Sequence, residues 1–567
     1  MSWQHIAAQK KSRQLDDVPE DWLQSTLPAA DTSNVIDFLQ ESIALSDLDV
    51  EVTESSVARL LYSLATGKWS SVQVTTSFYK RAIIAHQLTN CLTEIFVDQA
   101  LARAKVLDDH LAQTGKVIGP LHGLPISLKD QISIKGYVSW IGKVAEKNAV
   151  LVDILESLGA VPFVKTNVPQ TLMWPETFNH VWGRTTNPHN RSLTCGGSSG
   201  GEGQLNPLRR SVRIPSAFCG LYGFRPSYNR LPLAGCVNSL EGEDTILAVL
   251  GPLSNSLDGL KTFYKAVLSK EPWQRDPMVI RKRWNEDEYR LADHGKGEKL
   301  CFAIMWDNGV VMPHPPIQRG LEMTKKALLA AGHEVIDWVP YKQDEIVSTI
   351  LQIFNAGAGE DFKTETAPTG EPIITSMALE DDDFVFFPVN TGISTFESWQ
   401  LQKKKRDLRQ EHMKHWDDTV LRTGTGRPVD AIISPIAPFT ATPHGHMKTV
   451  HYTLPLNLLV SSPLWLSMTP CTRISEPYQR QDYPAIVIPV SKVDQALDVK
   501  RPRTEFYNTE DQQIYERYTP ETYADAPISV QVIGRTMEEE AIIAMSEVVD
   551  EALRVSNNCV EAVILPN

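Results

Sequence analysis

Three serines are the side chains in this chain whose types and spacing favour nucleophilic chemistry. Ser198 and Ser199 lie among four glycines in residues 196–201, and Ser211 follows Ser198 with 12 residues between them. Dense glycine lets a backbone turn tightly and direct N–H groups at a ligand. A serine hydroxyl becomes a nucleophile when a nearby base takes its proton. The same composition is also typical of a flexible linker, so a base must be found elsewhere in the chain.

Lys129 is the candidate base. It ends the apolar segment PISLK, residues 125–129, and Asp130 follows it. A lysine at a strand end ordinarily keeps its ammonium group in water. If Lys129 is buried instead, desolvation disfavours the ammonium form and leaves a neutral amine that can act as a base near neutral pH.

The composition limits the classes of partner. The 567 residues are 42% hydrophobic and 22% charged, and the formal net charge is −14. This acidic balance argues against nucleic acid and anionic membranes as partners, because phosphate binding needs a basic surface. No apolar run approaches the ~18 residues of a membrane span, and the N-terminus lacks the apolar core of a signal peptide. We therefore expect a cytoplasmic protein that acts on a small molecule.

Seven cysteines are scattered along the chain, an odd number with no C-x-x-C pair. In a chain of this length, that pattern is typical of reduced and mostly buried thiols. The sequence therefore predicts neither a disulfide framework nor a zinc site.

Hydrophobic periodicity predicts the elements that must position these side chains. Helical spacing covers residues 55–85, and strand and helix patterns then alternate along most of the chain. The predicted strands are 89–97, 125–129, 161–165, 300–305, 333–338, 431–434, 485–490 and 528–533, and the predicted helices are 99–113, 149–158, 316–331, 397–422 and 536–553. This alternation is typical of an α/β fold with a largely parallel sheet. The polar residues 494–525 are predicted to be an excursion within the domain and not a linker.

Four ordered blocks carry a resemblance to a known family. They read GPLHGLPISLKD, KTNVPQTLMWPE, GRTTNPHNRSLTCGGSSGGEG and SVRIPSAFCGLYGFRPSYNRLP, and PVDAIISPIAPFTATPHG and ISVQVIGR follow near residues 428–445 and 528–535. Together these blocks resemble the amidase signature family, most closely its fungal acetamidase-like and general amidases. Several long blocks in order are far more specific than any single motif.

The resemblance implies the fold and the activity. The fold would be a single large α/β domain at residues 55–567, with a twisted mixed β-sheet core surrounded by α-helices, after an N-terminal helical extension at residues 1–54. The activity would be hydrolysis of a small carboxamide to a carboxylate and ammonia or an amine, through a Ser–Ser–Lys triad and an acyl-enzyme. The resemblance calls for no metal and no cofactor, and it is compatible with a homodimer.

The family's catalytic roles transfer to individual residues of this chain. Lys129 matches the family lysine, Ser198 matches the bridging serine that follows a cis peptide, and Ser211 matches the nucleophile. Neutral Lys129 could draw a proton through Ser198, because a hydroxyl both donates and accepts hydrogen bonds. The predicted substrate contacts are Leu172, where the family lines its acyl pocket, Ser198 itself, and Arg210, which directly precedes the nucleophile.

Two histidines, His122 and His189, also lie in the matching blocks, and for both we expect a structural role rather than a catalytic one.

The chain departs from the family at three places. The segment between Ser198 and Ser211 has 12 residues. The family pattern has about eleven more at this place, and they include a G-[TS]-D-I-G-G segment that is missing here. Its glycine N–H groups would form the oxyanion hole, where loss of one donor costs about 10²–10³ in rate. Its aspartate would be the partner of Arg213. About six residues are also missing after Gly136, and residues 460–481 look like an insert.

Three functions therefore remain open from the sequence. The first is an active amidase. The second is an amidase-fold protein that has lost turnover and serves as a binding or scaffold protein, or is a mis-spliced product. The third is a subunit of an amidotransferase acting on charged tRNA, which the acidic balance of the chain disfavours.

Overall fold

The computed structural model describes residues 2–40, 42, 45–138, 142–204, 212–378, 391–458 and 483–564, without the side chains of residues 40, 204 and 558–564. Ser211 and Arg210, the shortened segment before them and the whole predicted insert at 460–481 lie outside these residues.

The strands within the described residues are β1 (Leu92–Ile95), β2 (Pro125–Lys129), β3 (Val161–Thr166), β4 (Phe178–Asn179), β5 (Gly183–Arg184), β6 (Tyr222–Arg225), β7 (Leu253–Ser254), β8 (Cys301–Ile304), β9 (Glu334–Asp337), β10 (Ala431–Ser434), β11 (Ala485–Lys492) and β12 (Pro527–Ile533). The α-helices are α1 (Trp3–Arg13), α2 (Ile36–Gln40), α3 (Asp47–Glu54), α4 (Val57–Ala65), α5 (Ser71–Thr89), α6 (Val97–Thr114), α7 (Val150–Ser157), α8 (Arg213–Cys219), α9 (Leu257–Ser269), α10 (Glu286–Tyr289), α11 (Pro315–Ala330), α12 (Gln343–Asn355), α13 (Glu360–Thr366), α14 (Thr395–Asp417), α15 (Leu454–Leu458), α16 (Thr509–Arg517) and α17 (Glu539–Ile564).

The periodic segment predicted at 55–85 is two helices, α4 and α5. Gly67 lies between them, and its φ of 69° interrupts the helical conformation. Ser70 then begins α5, because its hydroxyl accepts the N–H of Gln73 while the Gln73 side chain accepts the N–H of Ser70. This reciprocal cap satisfies two N–H groups that the first turn of a helix leaves without partners.

The small sheet carries the candidate base. Its strands run in the order β1-β3-β2, with β2 parallel to β3 and β1 antiparallel to β3. All five residues of β2 are buried, as predicted from the apolar residues Pro125, Ile126 and Leu128. Lys129 ends the strand and lies opposite Thr166 on β3.

The large sheet has seven described strands in the order β7-β6-β11-β12-β10-β8-β9. Only its β10-β8 and β8-β9 pairs are parallel, and the other four pairs are antiparallel. The prediction of a largely parallel sheet is therefore wrong, whereas the mixed sheet implied by the family resemblance is confirmed. The alternation of strands and helices predicts parallel pairing correctly where one helix connects two neighbouring strands, as α11 connects β8 and β9. It does not reveal the direction of strands joined by irregular segments, such as β11 and β12.

One hydrophobic core joins both sheets. It contains Leu128 and Phe163 from the small sheet together with Ile486 and Val530 from the large one. Residues of the predicted N-terminal extension pack into the same core, where Trp22 stacks on Tyr79 with 5.7 Å between ring centroids. Within the described ranges, none of the helices combines the length and the apolar composition that a bilayer span requires.

Candidate active site

Lys129 and Ser198 meet in the interior. The Lys129 Nζ atom donates a hydrogen bond of 2.8 Å to the Ser198 Oγ atom. The two residues are only 1% and 3% exposed to solvent. Burial removes the hydration that stabilises the ammonium form of a lysine. The structure therefore brings together two of the three residues of the predicted triad.

The glycine-rich loop holds Ser198 against its neighbours at close range. The Gly197–Ser198 peptide bond is cis, as the family resemblance implies for the bridging serine. A Cβ atom on Gly197 would lie 2.5 Å from the Trp174 carbonyl oxygen and 2.7 Å from that of Glu176. No side chain fits there without moving the backbone. The loop is thus tightly packed, and the interpretation as a flexible linker is wrong.

Glu202 ties the same loop to both strands beneath it. Its carboxylate is fully buried and accepts hydrogen bonds from the hydroxyls of Ser127 and Thr166. Ser127 lies two residues before Lys129, so the two side chains share one face of β2. Thr166 is the residue that pairs with Lys129 across the sheet. The loop therefore contacts this face of the sheet through Ser198 and again through Glu202.

A second buried lysine, Lys165, follows the β3 residue Val164 and has its own interaction partners. Its Nζ atom is 3.6 Å from the Asp130 carboxylate and donates a hydrogen bond of 2.8 Å to the Val138 carbonyl. Asp130 also accepts a hydrogen bond of 2.6 Å from the Thr93 hydroxyl. Lys165 is thus held by an acidic partner and by a backbone carbonyl.

Lys129 and Ser198 open onto a cavity of about 590 Å³. Leu172 and Trp174 also line this cavity. Leu172 has φ of 60°, a left-handed conformation that is uncommon for a residue with a side chain. Such conformations cluster at ligand-binding positions.

The predicted nucleophile and its neighbour Arg210 are not among the described residues, but the chain on their C-terminal side is. Val212 directly follows Ser211 and lines the cavity. It precedes α8, whose seven residues are all buried. Arg213 at the start of α8 does not lack partners, because its Nη2 atom donates to the Thr453 carbonyl at 3.0 Å and to the Asn457 side chain at 2.9 Å.

The second departure borders described residues, whereas the third, the predicted insert at 460–481, lies outside them. Val138 and Val144 form an antiparallel bridge on either side of residues 139–141, which lie outside the described residues. At the predicted insert, the described chain stops at residue 458, within the cluster that contains Leu458, and resumes at residue 483 just before β11.

His122 and His189 make backbone contacts, as expected for structural residues. The His122 Nδ1 atom accepts the Ile118 N–H at 3.2 Å, and the His189 Nε2 atom lies 3.2 Å from the Cys219 carbonyl oxygen. Burial lowers the pKa of both imidazoles. Neither is among the described residues that line the cavity.

Glu176 is a buried residue whose backbone packs against Gly197 of the glycine-rich loop. Its carboxylate accepts the N–H groups of Gly445 and Met447 at 3.1 and 3.0 Å and lies 3.3 Å from the Arg184 guanidinium. Burial outweighs these contacts and raises the pKa of Glu176 to about 6. Glu176 thus links the backbone around Gly197 to the segment near residue 445, which belongs to a separate block of the family resemblance.

Two residues of the site escaped prediction. Glu202 and Gln131 are single polar residues in loops, where no periodicity marks them. The available signal was their position, since Glu202 directly follows the glycine run and Gln131 lies two residues after Lys129. In the described ranges, no group of three or more His, Cys, Asp or Glu residues is arranged to hold a metal ion.

Comparisons with known proteins agree with this geometry. The sequence model of the Amidase family matches residues 73–205 and 210–543. An acetamidase of Emericella nidulans is 40% identical over 97% of this chain and 98% of its own length, and an acetamidase of Aspergillus oryzae is 38% identical over 97% and 99%. Among solved structures, a fatty acid amide hydrolase superposes with a TM-score of 0.86 at 26% identity, covering 97% of this chain and 95% of its own. The family match covers most of the residues that build the two sheets, and it includes both Lys129 and Ser198. This chain therefore belongs to the Amidase family and is an amidase.

Proposed function

We propose that this protein hydrolyses a small carboxamide through an acyl-enzyme, with Ser211 as nucleophile, Ser198 as proton relay and Lys129 as base. The observation that carries the proposal is the buried hydrogen bond of 2.8 Å between Lys129 and Ser198. The assignment of Ser211 rests on the family motif. It is supported by the next residue, Val212, which lines the same cavity as the pair.

In the acylation step, the Ser211 Oγ atom attacks the amide carbon. Its proton passes to Ser198, and the proton of Ser198 passes to the neutral amine of Lys129. The C–N bond then breaks as the relay returns a proton to the leaving nitrogen, which departs as ammonia or an amine. The products of this step are an ester on Ser211 and a relay restored to its starting state.

In the deacylation step, a water molecule attacks the ester carbon. Lys129 again accepts a proton through Ser198 and returns it to the Ser211 oxygen as the carboxylic acid leaves. The net reaction is hydrolysis of the amide, and the residues alone supply the proton transfers.

The cavity supports a small or aryl-alkyl amide as the substrate. Its volume of about 590 Å³ lies within the range of roughly 300–1,000 Å³ that is usual for small-molecule sites. Leu172 forms part of the proposed acyl wall, and Arg210 remains a proposed contact on the basis of its position before Ser211. The two fungal relatives carry the name acetamidase, which supports acetamide as a first substrate to test. The net charge of −14 argues against nucleic acid and anionic membranes as partners.

A second candidate function follows from the sequence before the nucleophile. Residues 204–210 contain no glycine, and the family match is interrupted between residues 205 and 210. A segment without glycine is poorly suited to direct consecutive N–H groups at an oxyanion. The second candidate is therefore an amidase-fold protein with little or no turnover, which binds its ligand without hydrolysing it.

One experiment distinguishes the two functions. Ammonia release from acetamide and benzamide is measured for the parent, Ser211→Ala and Lys129→Ala, with the exposed Lys147→Ala as a matched control. We expect release by the parent and the control, and a loss of at least roughly 10²-fold in the two active-site variants. A folded parent that releases no ammonia from either amide would contradict the proposed hydrolysis and support the second function.

A further inference from the structure

Gln131 is a buried polar residue of the cavity to which the proposed mechanism assigns no role. It lies two residues after Lys129, is 1% exposed and lines the same cavity. Its carbonyl oxygen accepts the N–H of Val237 at 2.9 Å, and the next residue, Ile132, pairs with Cys236. These backbone contacts hold Gln131 in place against residues 236–238.

The side-chain amide of Gln131 is oriented by one neighbour. Its Nε2 atom donates a hydrogen bond of 3.3 Å to the Asn238 Oδ1 atom. Because Asn238 presents an acceptor, the amino group of Gln131 faces it and the Oε1 atom points elsewhere. That Oε1 atom is buried and has no hydrogen-bond partner among the described residues.

A buried acceptor without a partner is unusual, because its lost hydration is not compensated. In a ligand cavity, a hydrogen-bond donor on the ligand can supply the compensation. A ligand with an N–H or O–H group could therefore donate a hydrogen bond to Gln131.

We propose that the Gln131 Oε1 atom accepts an N–H of the substrate's carboxamide nitrogen, and that it makes the cavity selective for amides with at least one N–H over the corresponding esters. This inference rests on the proposed function. Two residues of chain span at most roughly 7 Å, so the Gln131 amide lies within reach of a small substrate held against Lys129 and Ser198.

The chemistry of the leaving nitrogen supports this assignment. The nitrogen must receive a proton before the C–N bond breaks, and its own N–H bonds become more polar as it does so. The hydrogen bond to Gln131 therefore strengthens toward the transition state. An N–H held by Gln131 also limits rotation of the nitrogen, which directs its lone pair to the proton donor.

An ester lacks this interaction altogether. Its leaving oxygen carries no hydrogen, so it would place lone pairs against the Oε1 atom of Gln131. A site that hydrogen-bonds a substrate N–H discriminates strongly against an analogue without one, because the buried acceptor is then left unpaired.

The test compares an amide with its matched ester. The quantity is kcat/KM for benzamide and for methyl benzoate, because this ratio reports the acylation step in which the two leaving groups differ. The variants are Gln131→Met, which removes the acceptor at similar size, and Asn238→Ala, which removes the group that orients it. The exposed Gln99→Met serves as a matched control, and thermal unfolding shows whether each variant folds.

We expect Gln131→Met to lose roughly 10–100-fold in kcat/KM for benzamide but less than about 3-fold for methyl benzoate. Asn238→Ala should shift the amide-to-ester ratio in the same direction by a smaller factor, and Gln99→Met should leave it unchanged. A Gln131→Met variant that fails to fold leaves the decision to Asn238→Ala.

The failure of this inference is distinct from the failure of the proposed function. An active parent whose variants lose amide and ester rates equally, or lose neither, would show that the Gln131 Oε1 atom does not distinguish amides from esters and would overturn the inference alone. A folded parent that hydrolyses neither compound overturns the proposed function, and the inference with it.

Discussion

The Nζ atom of Lys129 and the Oγ atom of Ser198 form a buried hydrogen bond of 2.8 Å although the two residues are 69 positions apart in the chain. Lys129 lies at the end of strand β2, and Ser198 lies in the glycine-rich loop. The loop is fixed by close backbone packing at Gly197 and by the carboxylate of Glu202. The proposed base and the proposed relay are therefore brought together by the fold itself.

Replacing Ser198 tests the relay. Ser198→Ala removes the hydroxyl that bonds Lys129 and should lower kcat for acetamide by about 10²–10⁴-fold, because the base then has no path to the nucleophile. Ammonia release under saturating substrate measures this change. The exposed Ser12→Ala is the matched control and should retain the parent rate. Ser198→Ala activity within a few fold of the parent would remove Ser198 from the mechanism.

Replacing Glu202 tests the contact between the loop and the sheet. Glu202→Ala removes the carboxylate that accepts hydrogen bonds from the buried hydroxyls of Ser127 and Thr166 and should lower the free energy of unfolding by about 2–4 kcal/mol. Glu202→Gln keeps one acceptor oxygen and should cost roughly half as much. Urea unfolding measures both values. Equal stability of the parent and Glu202→Ala would mean that this carboxylate does not fasten the loop.

The sequence predicted the strands that carry the site better than the contacts that complete it. Strands β2, β3, β8, β10, β11 and β12 lie within two residues of their predicted ends, because each is an apolar run bounded by polar or turn residues. The pairing of Lys129 with Ser198 followed from ordered family blocks and not from periodicity. The mixed direction of the large sheet could not be derived from alternation, since the path of each connection decides it.

Glu202 and Gln131 mark the limit of such prediction. Each acts through partners far away in sequence, with Ser127 lying 75 positions from Glu202 and Asn238 lying 107 from Gln131. Spacing within one element carries no information about contacts of this kind. A single glutamate or glutamine in a loop is ordinarily a solvated residue, so only the folded structure reveals that both are buried.

Changing Leu172 tests the acyl pocket. Leu172→Ala enlarges the cavity beside the buried pair and should raise kcat/KM for phenylacetamide relative to acetamide, whereas Leu172→Phe should lower the same ratio. We expect shifts of roughly 3–30-fold, because one or two methylene-sized changes in an apolar pocket are worth about 1–2 kcal/mol. The two substrates are compared in one competition assay. If both variants leave the ratio unchanged, Leu172 does not contact the acyl group.

The pH dependence of stability tests a partly buried histidine away from the cavity, His294. Burial alone would lower the pKa of His294, but its hydrogen bonds to Asp430 and Glu538 outweigh this and raise the pKa to about 9. The His294 Nδ1 atom lies 2.8 Å from Asp430, and the Nε2 atom lies 3.4 Å from Glu538. These contacts join the starts of β10 and α17 through one imidazolium.

The sign of the effect follows from linkage. The folded state holds the His294 proton more tightly than the unfolded state does, so this stabilisation is complete below about pH 6.5 and is lost as the pH rises through about 9. The loss should be about 2–3 kcal/mol after allowance for partial exposure. Urea unfolding of the parent and His294→Gln between pH 6.5 and 9.5 measures the difference. Parallel curves for the two proteins would contradict the assigned interaction.

The most direct test of the central claim is the site and rate of labelling by a fluorophosphonate, which reacts with an activated serine hydroxyl. Digestion after Glu202 and Glu241 isolates residues 203–241, and fragmentation in the mass spectrometer locates the adduct. If Lys129 and Ser198 activate Ser211, the parent carries the label on Ser211, Ser211→Ala carries none, and Lys129→Ala and Ser198→Ala react at least roughly 10²-fold more slowly. A folded parent that remains unlabelled, or that is labelled on a serine other than Ser211, would contradict the account.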